Sequence, residues 1–157
     1  MANKRGVWLA LAGLVGLGLW WQRMELLSSV RGLRNNNPLN IEKGADWRGL
    51  SDDQSGDDRF AVFVDPRFGV RAAAVIFKNY RRLYGIETLA GIVNRWAPTH
   101  ENPTQSYVNA VSQRTGIPAN VPISDSDYPA IIAAMIHQEN GIQPYSMALI
   151  EQGVSWA

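Results

Sequence analysis

The sequence predicts a small α+β domain that is mainly helical and that follows an apolar N-terminal segment. Three observations predict this class. Apolar residues recur with the 3.6-residue period of helices, Pro and Gly residues separate these stretches, and only one short region has strand character. The 157 residues suit one domain with a short appendage. We divide the chain into residues 1–27, the N-terminal segment, and residues 28–157, the folded domain.

Residues 7–21 form the apolar part of the N-terminal segment, fifteen residues without a charged or polar side chain. As a helix they would span roughly 22 Å, which is short of the ~30 Å hydrocarbon core of a bilayer. The Trp20–Trp21 pair beside Arg23 is typical of a membrane interface, and Lys4 and Arg5 predict a cytoplasmic N-terminus. We therefore interpret the segment as a marginal, retained membrane anchor. A cleaved signal peptide and a buried core helix are the alternatives.

The folded domain begins with a polar region, residues 31–58, which is rich in Asn, Gly, Asp and Ser and is predicted to be loop and turn. Residues 47–50 and 59–64 are predicted to pair as a small β-hairpin around residues 51–58. Five helices are predicted after it from capping residues and breakers. They extend from Asp65-Pro66 to Gly85, from about Thr88 to Trp96, from Pro103 to near Gly116, from about Asp127 to Glu139 before Asn140-Gly141, and from Pro144 onward.

Composition excludes several classes of function. The formal net charge of +1 argues against a nucleic-acid-binding protein, which is expected to be basic. The absence of cysteine excludes a disulfide scaffold, a thiol nucleophile and a cysteine-ligated metal. Two histidines do not suffice for a His-rich metal site. We predict no metal, no cofactor, no nucleic-acid partner and a monomer.

The fourth predicted helix carries the best candidate for acid–base chemistry. Its apolar stripe consists of Tyr128, Ile131, Ile132, Met135 and Ile136. Seven residues after Ile132, the same face reaches Glu139 in the last turn. Apolar surroundings and the negative end of the helix dipole both disfavour a carboxylate there, which raises the pKa as a general acid requires. The alternative is that Glu139 turns outward at a frayed helix end and contacts water.

Other polar residues have simpler interpretations. Glu25 follows the apolar segment and Glu101 precedes the third predicted helix, and each is an alternative catalytic acid. The acidic residues between 52 and 58 lack the spacing of a calcium loop and are predicted to form a solvated turn. His137 is two residues from Glu139, which places it on a different helix face.

Several short motifs are spread along the folded domain. These are RGLRNNNPLNI at 31–41, WRG at 47–49, RFAVFVDPRFGVRA at 59–72, RWAP at 95–98, HQENG at 137–141 and PYS at 144–146. Together they resemble a bacteriophage family of peptidoglycan-degrading proteins whose members begin with an RGIRNNNPGNI-like signature. The resemblance covers about residues 31–153. This chain departs from the family pattern at Leu39, where Gly is commoner, and at Gln138, where His is expected.

The resemblance implies a lysozyme-like fold. In the similar glucosaminidase and lytic transglycosylase group, a catalytic Glu ends a helix and an Asn-containing loop follows it. Here Asn36 to Ile41 precede Glu139 by about a hundred residues. Either the domain is circularly permuted and Glu139 is the acid, or the order is kept and Glu25 is the acid. The resemblance favours Glu139, because the signature would occur in members that have no equivalent of Glu25.

The function that the resemblance implies is an endolysin-type cleavage of the bond between N-acetylmuramic acid and N-acetylglucosamine, for host lysis. The enzyme would be a muramidase or a lytic transglycosylase. Amide side chains suited to the N-acetyl groups are those of Asn36, Asn37 and Asn40, and the aromatic candidates for a sugar groove are Trp47, Trp96 and Tyr107. Arg34 is a candidate to meet a carboxylate of the peptide stem.

The expected partners are peptidoglycan and the bacterial inner membrane, the latter through residues 7–21. The domain would then lie in the host periplasm, with release from the membrane or a place in the virion as alternatives. A second hypothesis is a virion-associated, membrane-tethered protein that binds or pierces murein while the phage genome is delivered.

Overall fold

The computed structural model describes residues 29–97 and 104–157. The predicted anchor, residues 1–27, lies outside these ranges, as do Glu25 and Glu101. Within the described ranges, no helix combines the length and the apolar character needed to cross a bilayer.

The described residues form a mainly helical domain with very little strand, as the sequence predicts. The helices are α1 (Arg31–Arg34), α2 (Pro66–Tyr84), α3 (Leu89–Trp96), α4 (Thr104–Thr115), α5 (Tyr128–Asn140) and α6 (Met147–Ser155), with a 3-10 turn (Asp125–Asp127) before α5. Helix α5 lies at the centre, in contact with α1, α2, α4 and α6. Its predicted apolar stripe is buried along its whole length, which confirms that this face forms the core.

Helix α2 begins and ends where the sequence predicts, because its caps are explicit. The Asp65 side chain accepts a hydrogen bond from the Arg67 amide, and Pro66 occupies the first turn, where a missing N–H costs nothing. Gly85 ends the helix at φ 64°, a left-handed conformation that glycine adopts without strain. Thr88 caps α3 in the same manner, through the Gly91 amide.

Two predictions about the elements are wrong. The polar region contains the short helix α1, whose Gly32 and Leu33 are buried, and is therefore not entirely loop. The last helix begins at Met147 rather than Pro144. The Gln143 side chain bonds both backbone groups of Tyr145 and holds these residues in a turn, so that Ser146 becomes the N-cap.

The predicted hairpin occurs as pairing without extended strands. Leu50 and Phe63 form an isolated antiparallel bridge, and the Val64 amide donates to the Gly49 carbonyl at 3.0 Å. The ladder stops there because the Gln54 side chain accepts from the Val62 amide and donates to the Val62 carbonyl. The Val62 carbonyl still accepts from the Ser51 amide at 2.8 Å, but the Val62 amide is occupied by the Gln54 side chain and is lost to the ladder.

Candidate functional site

Glu139 lies in the last turn of α5, on the face that the apolar stripe predicts. Its side chain is partly buried, and the hydroxyl of Tyr107 on α4 donates a hydrogen bond to Glu139 Oε1 at 2.9 Å. Burial and the adjacent carboxylate hold the pKa of Tyr107 far above its ordinary value, so this hydroxyl remains a donor. The predicted inward orientation of Glu139 is therefore observed.

The surroundings of Glu139 favour its protonated form. Burial raises the pKa of the carboxyl above the ordinary glutamate value, while hydrogen bonds from Tyr107 and the Asn40 side chain act in the opposite direction and only partly offset burial. The negative end of the α5 dipole adds to the effect of burial. Glu139 is thus a carboxyl whose pKa is raised above the ordinary glutamate value and that has donors ready to stabilise the carboxylate.

An open cleft of about 400 Å³ exposes Glu139 to a ligand. Its walls come from the Asn loop (residues 35–40) and its continuation, from the paired residues 59–60, from α2, from the end of α3 and from α5. The lining residues are Leu39, Asn40, Ile41, Glu42, Arg59, Phe60, Ile76, Tyr80, Trp96, Ala97 and Glu139. The cleft therefore combines one partly buried acid with aromatic walls and an amide.

Backbone conformation explains why asparagine occurs repeatedly in the Asn loop. Asn36 and Asn40 both have φ 51°, a left-handed conformation that asparagine tolerates better than other residues with a side chain. Asn37 is fully buried, and its amide donates to the carbonyls of Ile41 and Ala61 and accepts from the Ile41 amide. These contacts hold the loop in one shape, with Asn40 at the cleft.

The Asn loop and the end of α5 lie side by side although they are far apart in sequence. Asn140 Nδ2 donates to the Pro38 carbonyl at 2.7 Å. Gly32 of α1 makes the approach possible, since a Cβ there would lie 2.6 Å from Asn140 Oδ1. Glu139 and Asn40 are thereby brought to one cleft.

The structure brings together some of the predicted site residues and separates others. Asn40, Trp96 and Glu139 line the cleft, and Tyr107 reaches it through its bond to Glu139. Asn36 and Asn37 direct their amides to backbone carbonyls, and Trp47 packs against the core. These three side chains support the fold and do not line the cleft, contrary to the prediction that they contact substrate.

Sequence reasoning did not identify Glu42, Arg59 or Tyr80 as residues of the cleft. Glu42 accepts a hydrogen bond from Arg59 Nε at 2.7 Å, and the pair is exposed. An antiparallel bridge between Glu42 and Phe60 brings Glu42 and Arg59 together. The predicted hairpin around residues 51–58, extended toward residue 42, is the sequence signal that could have indicated this pair. Tyr80 belongs to the helical period of α2, which by itself indicates only a core position.

His137 and Asp57 have the positions expected of residues outside the site. His137 lines a separate groove between α4, α5 and α6, on a different face from Glu139. Asp57 accepts from the amides of Arg59 and Phe60 and from Asn35 Nδ2, and these bonds lower its pKa to about 2. It fixes the turn that carries Arg59 and Phe60.

The fold and site define a mainly helical protein that holds a partly buried glutamate in an open cleft. No protein-family model matches the chain. The chain is 42% identical over 158 residues to Protein P5 of Pseudoalteromonas phage PM2, with 98% of this chain and 97% of that protein covered. It therefore belongs to the family of this phage protein.

Proposed function

We propose that this protein is a peptidoglycan glycosidase in which Glu139 is the general acid. The observation that carries the proposal is the position of Glu139, a partly buried carboxyl of raised pKa that opens into a cleft. A buried carboxyl with these properties is the group that glycoside cleavage requires to protonate a leaving oxygen. A protein that only bound murein would not need an acid that its own fold makes harder to ionise.

The reaction would be cleavage of the bond between N-acetylmuramic acid and N-acetylglucosamine. Glu139 donates its proton to the leaving glycosidic oxygen and becomes a carboxylate, which Tyr107 and Asn40 stabilise by hydrogen bonds. The carboxylate then accepts a proton from a water whose oxygen bonds to C1 of the muramic acid, giving hydrolysis, or from the 6-hydroxyl of the muramic acid as its oxygen bonds to C1, giving an anhydro product. Donors already in place for the carboxylate reduce the reorganisation that proton transfer would otherwise require.

The cleft walls suit a sugar polymer. Trp96 and Tyr80 supply aromatic surface, and Asn40 supports the Glu139 carboxyl beside them through its hydrogen bond. Glu42 is the other carboxylate in the cleft lining, and Arg59 engages it. Glu42 is the candidate for the second carboxylate that a hydrolase needs, whereas a transglycosylase can act with Glu139 alone.

We further propose a lysozyme-like domain of circularly permuted order. The support is the contact between the end of α5 and the Asn loop, made by Asn140 and Pro38 across 102 residues. In this arrangement the loop stands beside the catalytic helix end although it precedes it in the chain. Glu25 is then not needed as the acid.

The relationship to a protein of a Pseudoalteromonas phage supports a phage setting. We propose that the enzyme serves host lysis from the periplasmic side of the inner membrane, with residues 7–21 as its anchor. Murein binding or piercing during genome delivery is the competing role, and it requires no cleavage.

Loss of turbidity of purified peptidoglycan tests the proposal. The full chain should clear the suspension, and Glu139→Gln should lower the rate roughly a hundredfold or more, because general acid catalysis contributes about that much. Glu25→Gln and Glu151→Gln, the latter an exposed acid on α6, should behave like the parent. The proposal is wrong if Glu139→Gln retains the parental rate or if the parent does not cleave.

Mass spectrometry of the products then distinguishes the two chemistries. Transglycosylase products are lighter than hydrolase products by one water. A hydrolase that uses Glu42 should lose activity in Glu42→Gln, whereas a one-acid enzyme should tolerate that change. An inert parent that still sediments with peptidoglycan would instead establish the murein-binding role.

A further inference from the structure

A second depression of about 400 Å³ adjoins the cleft and is lined by Arg31, Arg34, Gly56, Asp57, Asp58 and Arg59. Arg59 also lines the cleft, so the two depressions share a wall. We call the second one the arginine depression. Five of its six lining residues are charged, which sets it apart from the partly aromatic cleft.

The arginine depression is held in shape by the Phe60 ring. The Arg31 guanidinium lies 5.4 Å from the ring centroid and the Arg59 guanidinium 5.1 Å from it. Cation–π contacts at these distances restrict both side chains. Arg59 is paired with Glu42, so Arg31 is the one of the two whose N–H groups stay available to an anion. Because Phe60 also lines the cleft, one ring fixes the relative position of the two depressions.

The cations of the arginine depression are only partly neutralised by its own acids. Asp57 is committed to the turn, and its contact with Arg31 Nε is long, at 3.6 Å. The Arg31 side chain is 60% exposed. Arg34 is exposed, and the ion pairs among the described residues do not include it. Arg31 and Arg34 therefore retain donors for a carboxylate.

We propose that Arg31 and Arg34 bind the carboxylates of the peptide stem that peptidoglycan carries on its muramic acid, beside the wall that Arg59 shares with the cleft. This inference rests on the proposed function, and the shared wall at Arg59 places the arginine depression next to the cleft that would hold the sugar. The enzyme thereby distinguishes stem-bearing glycan from bare glycan. The lining also contains Asp58, an exposed carboxylate, and this mixture of signs suits a stem with both carboxylates and an amino group better than a uniformly anionic membrane surface.

The test compares two soluble substrates, glycan strands with intact stems and the same strands after an amidase has removed the stems. The full chain in detergent is assayed as the parent, as Arg34→Gln, as the double variant Arg31→Gln/Arg34→Gln, and as Arg114→Gln. Arg114 is the matched control, an exposed arginine that lines the separate groove on α4. Circular dichroism and a melting curve verify that each variant is folded.

We expect the parent to favour stem-bearing strands. Arg34→Gln should lower kcat/KM on these strands about fivefold, the effect of one exposed charge contact, and the double variant should lower it further. Neither change should affect bare strands, and Arg114→Gln should match the parent on both. Equal losses on the two substrates, or no loss on either, would overturn the proposal.

A binding measurement separates this proposal from the proposed function. A disaccharide with a tetrapeptide stem and the bare disaccharide are titrated into the full chain, with tryptophan fluorescence as the readout. Weaker binding of the stem-bearing ligand alone in Arg34→Gln supports the stem site even if no strand is cleaved. Cleavage of both kinds of strand without any stem preference would support the proposed glycosidase function and overturn the stem site. Loss confined to binding of phosphatidylglycerol vesicles would assign the arginines to lipid and overturn the proposal.

Discussion

At the scale of single residues, the Glu139–Tyr107 pair combines two opposing influences. Burial raises the pKa of Glu139, and the Tyr107 hydroxyl, 2.9 Å from Oε1, lowers it. An acid that must both release and regain a proton benefits from such donors, since they offset part of the cost that burial places on the carboxylate. Under the proposed mechanism, the hydroxyl of Tyr107 would therefore adjust the pKa of the acid.

Tyr107→Phe tests this role. Loss of the hydrogen bond removes a contact that favours the carboxylate, so the pKa of Glu139 should rise and the acid should stay protonated to higher pH. The alkaline limb of the pH profile of kcat/KM on peptidoglycan should move upward, and the free energy of unfolding should fall by about 1 kcal/mol. Tyr84→Phe, at an exposed tyrosine, is the control. An alkaline limb that stayed in place or moved downward would show that Tyr107 does not act on the acid.

The period of one helix was enough to predict which way Glu139 points, because the buried face of α5 is a local property. The partner of the acid could not be predicted in the same way. Tyr107 was expected to stack on sugar, yet its ring is buried and only its hydroxyl reaches the carboxyl. That contact depends on how α4 packs on α5, which no local pattern specifies.

At the scale of secondary-structure elements, the ends of a helix can be predicted from sequence where capping residues mark them. Asp65, Pro66 and Gly85 predict both ends of α2 because each acts on its own backbone. The Asn loop is different. Its residue types predict ligands of N-acetyl groups, but Asn37 donates to the carbonyls of two segments, at Ile41 and Ala61, that only the folded chain brings together.

Gly69 of α2 provides a test of how closely the elements approach. A Cβ there would lie 2.4 Å from the Asn36 carbonyl oxygen and 2.9 Å from Pro38, so α2 rests directly on the Asn loop. Gly69→Ala should cost about 2 kcal/mol of unfolding free energy, although alanine in a free helix would stabilise by about 1 kcal/mol. Gly56→Ala, where the nearest atom is 3.9 Å away, should change little. Chemical denaturation measures the free energy of unfolding of both variants. A stabilised Gly69→Ala protein would show that the Asn loop moves away to make room for the added methyl group.

At the scale of the whole molecule, the site is assembled from parts that lie about a hundred residues apart. Asn40 and Glu139 meet because Asn140 bonds the Pro38 carbonyl and Gly32 allows α1 to approach the end of α5. The sequence pattern left two positions open for the acid, before and after the Asn loop. A contact of this range depends on the packing of the entire domain, so only the structure places Glu139 beside the loop.

The same packing predicts that Glu139 lowers the free energy of unfolding of the protein at pH values above its raised pKa. Because the pKa of Glu139 is raised on folding, the folded protein holds this proton to higher pH than the unfolded chain does. The stabilisation that comes from this proton is therefore present below the ordinary glutamate pKa and is lost as pH rises through the raised value.

Glu139→Gln, which cannot ionise, should be more stable than the parent at about pH 8 and should lose that advantage at about pH 4. Urea unfolding at both pH values measures the difference, with the exposed Glu151→Gln as control. An advantage independent of pH would mean that Glu139 is ionised as readily in the folded protein as in the unfolded chain, and the case for it as a general acid would fail with it.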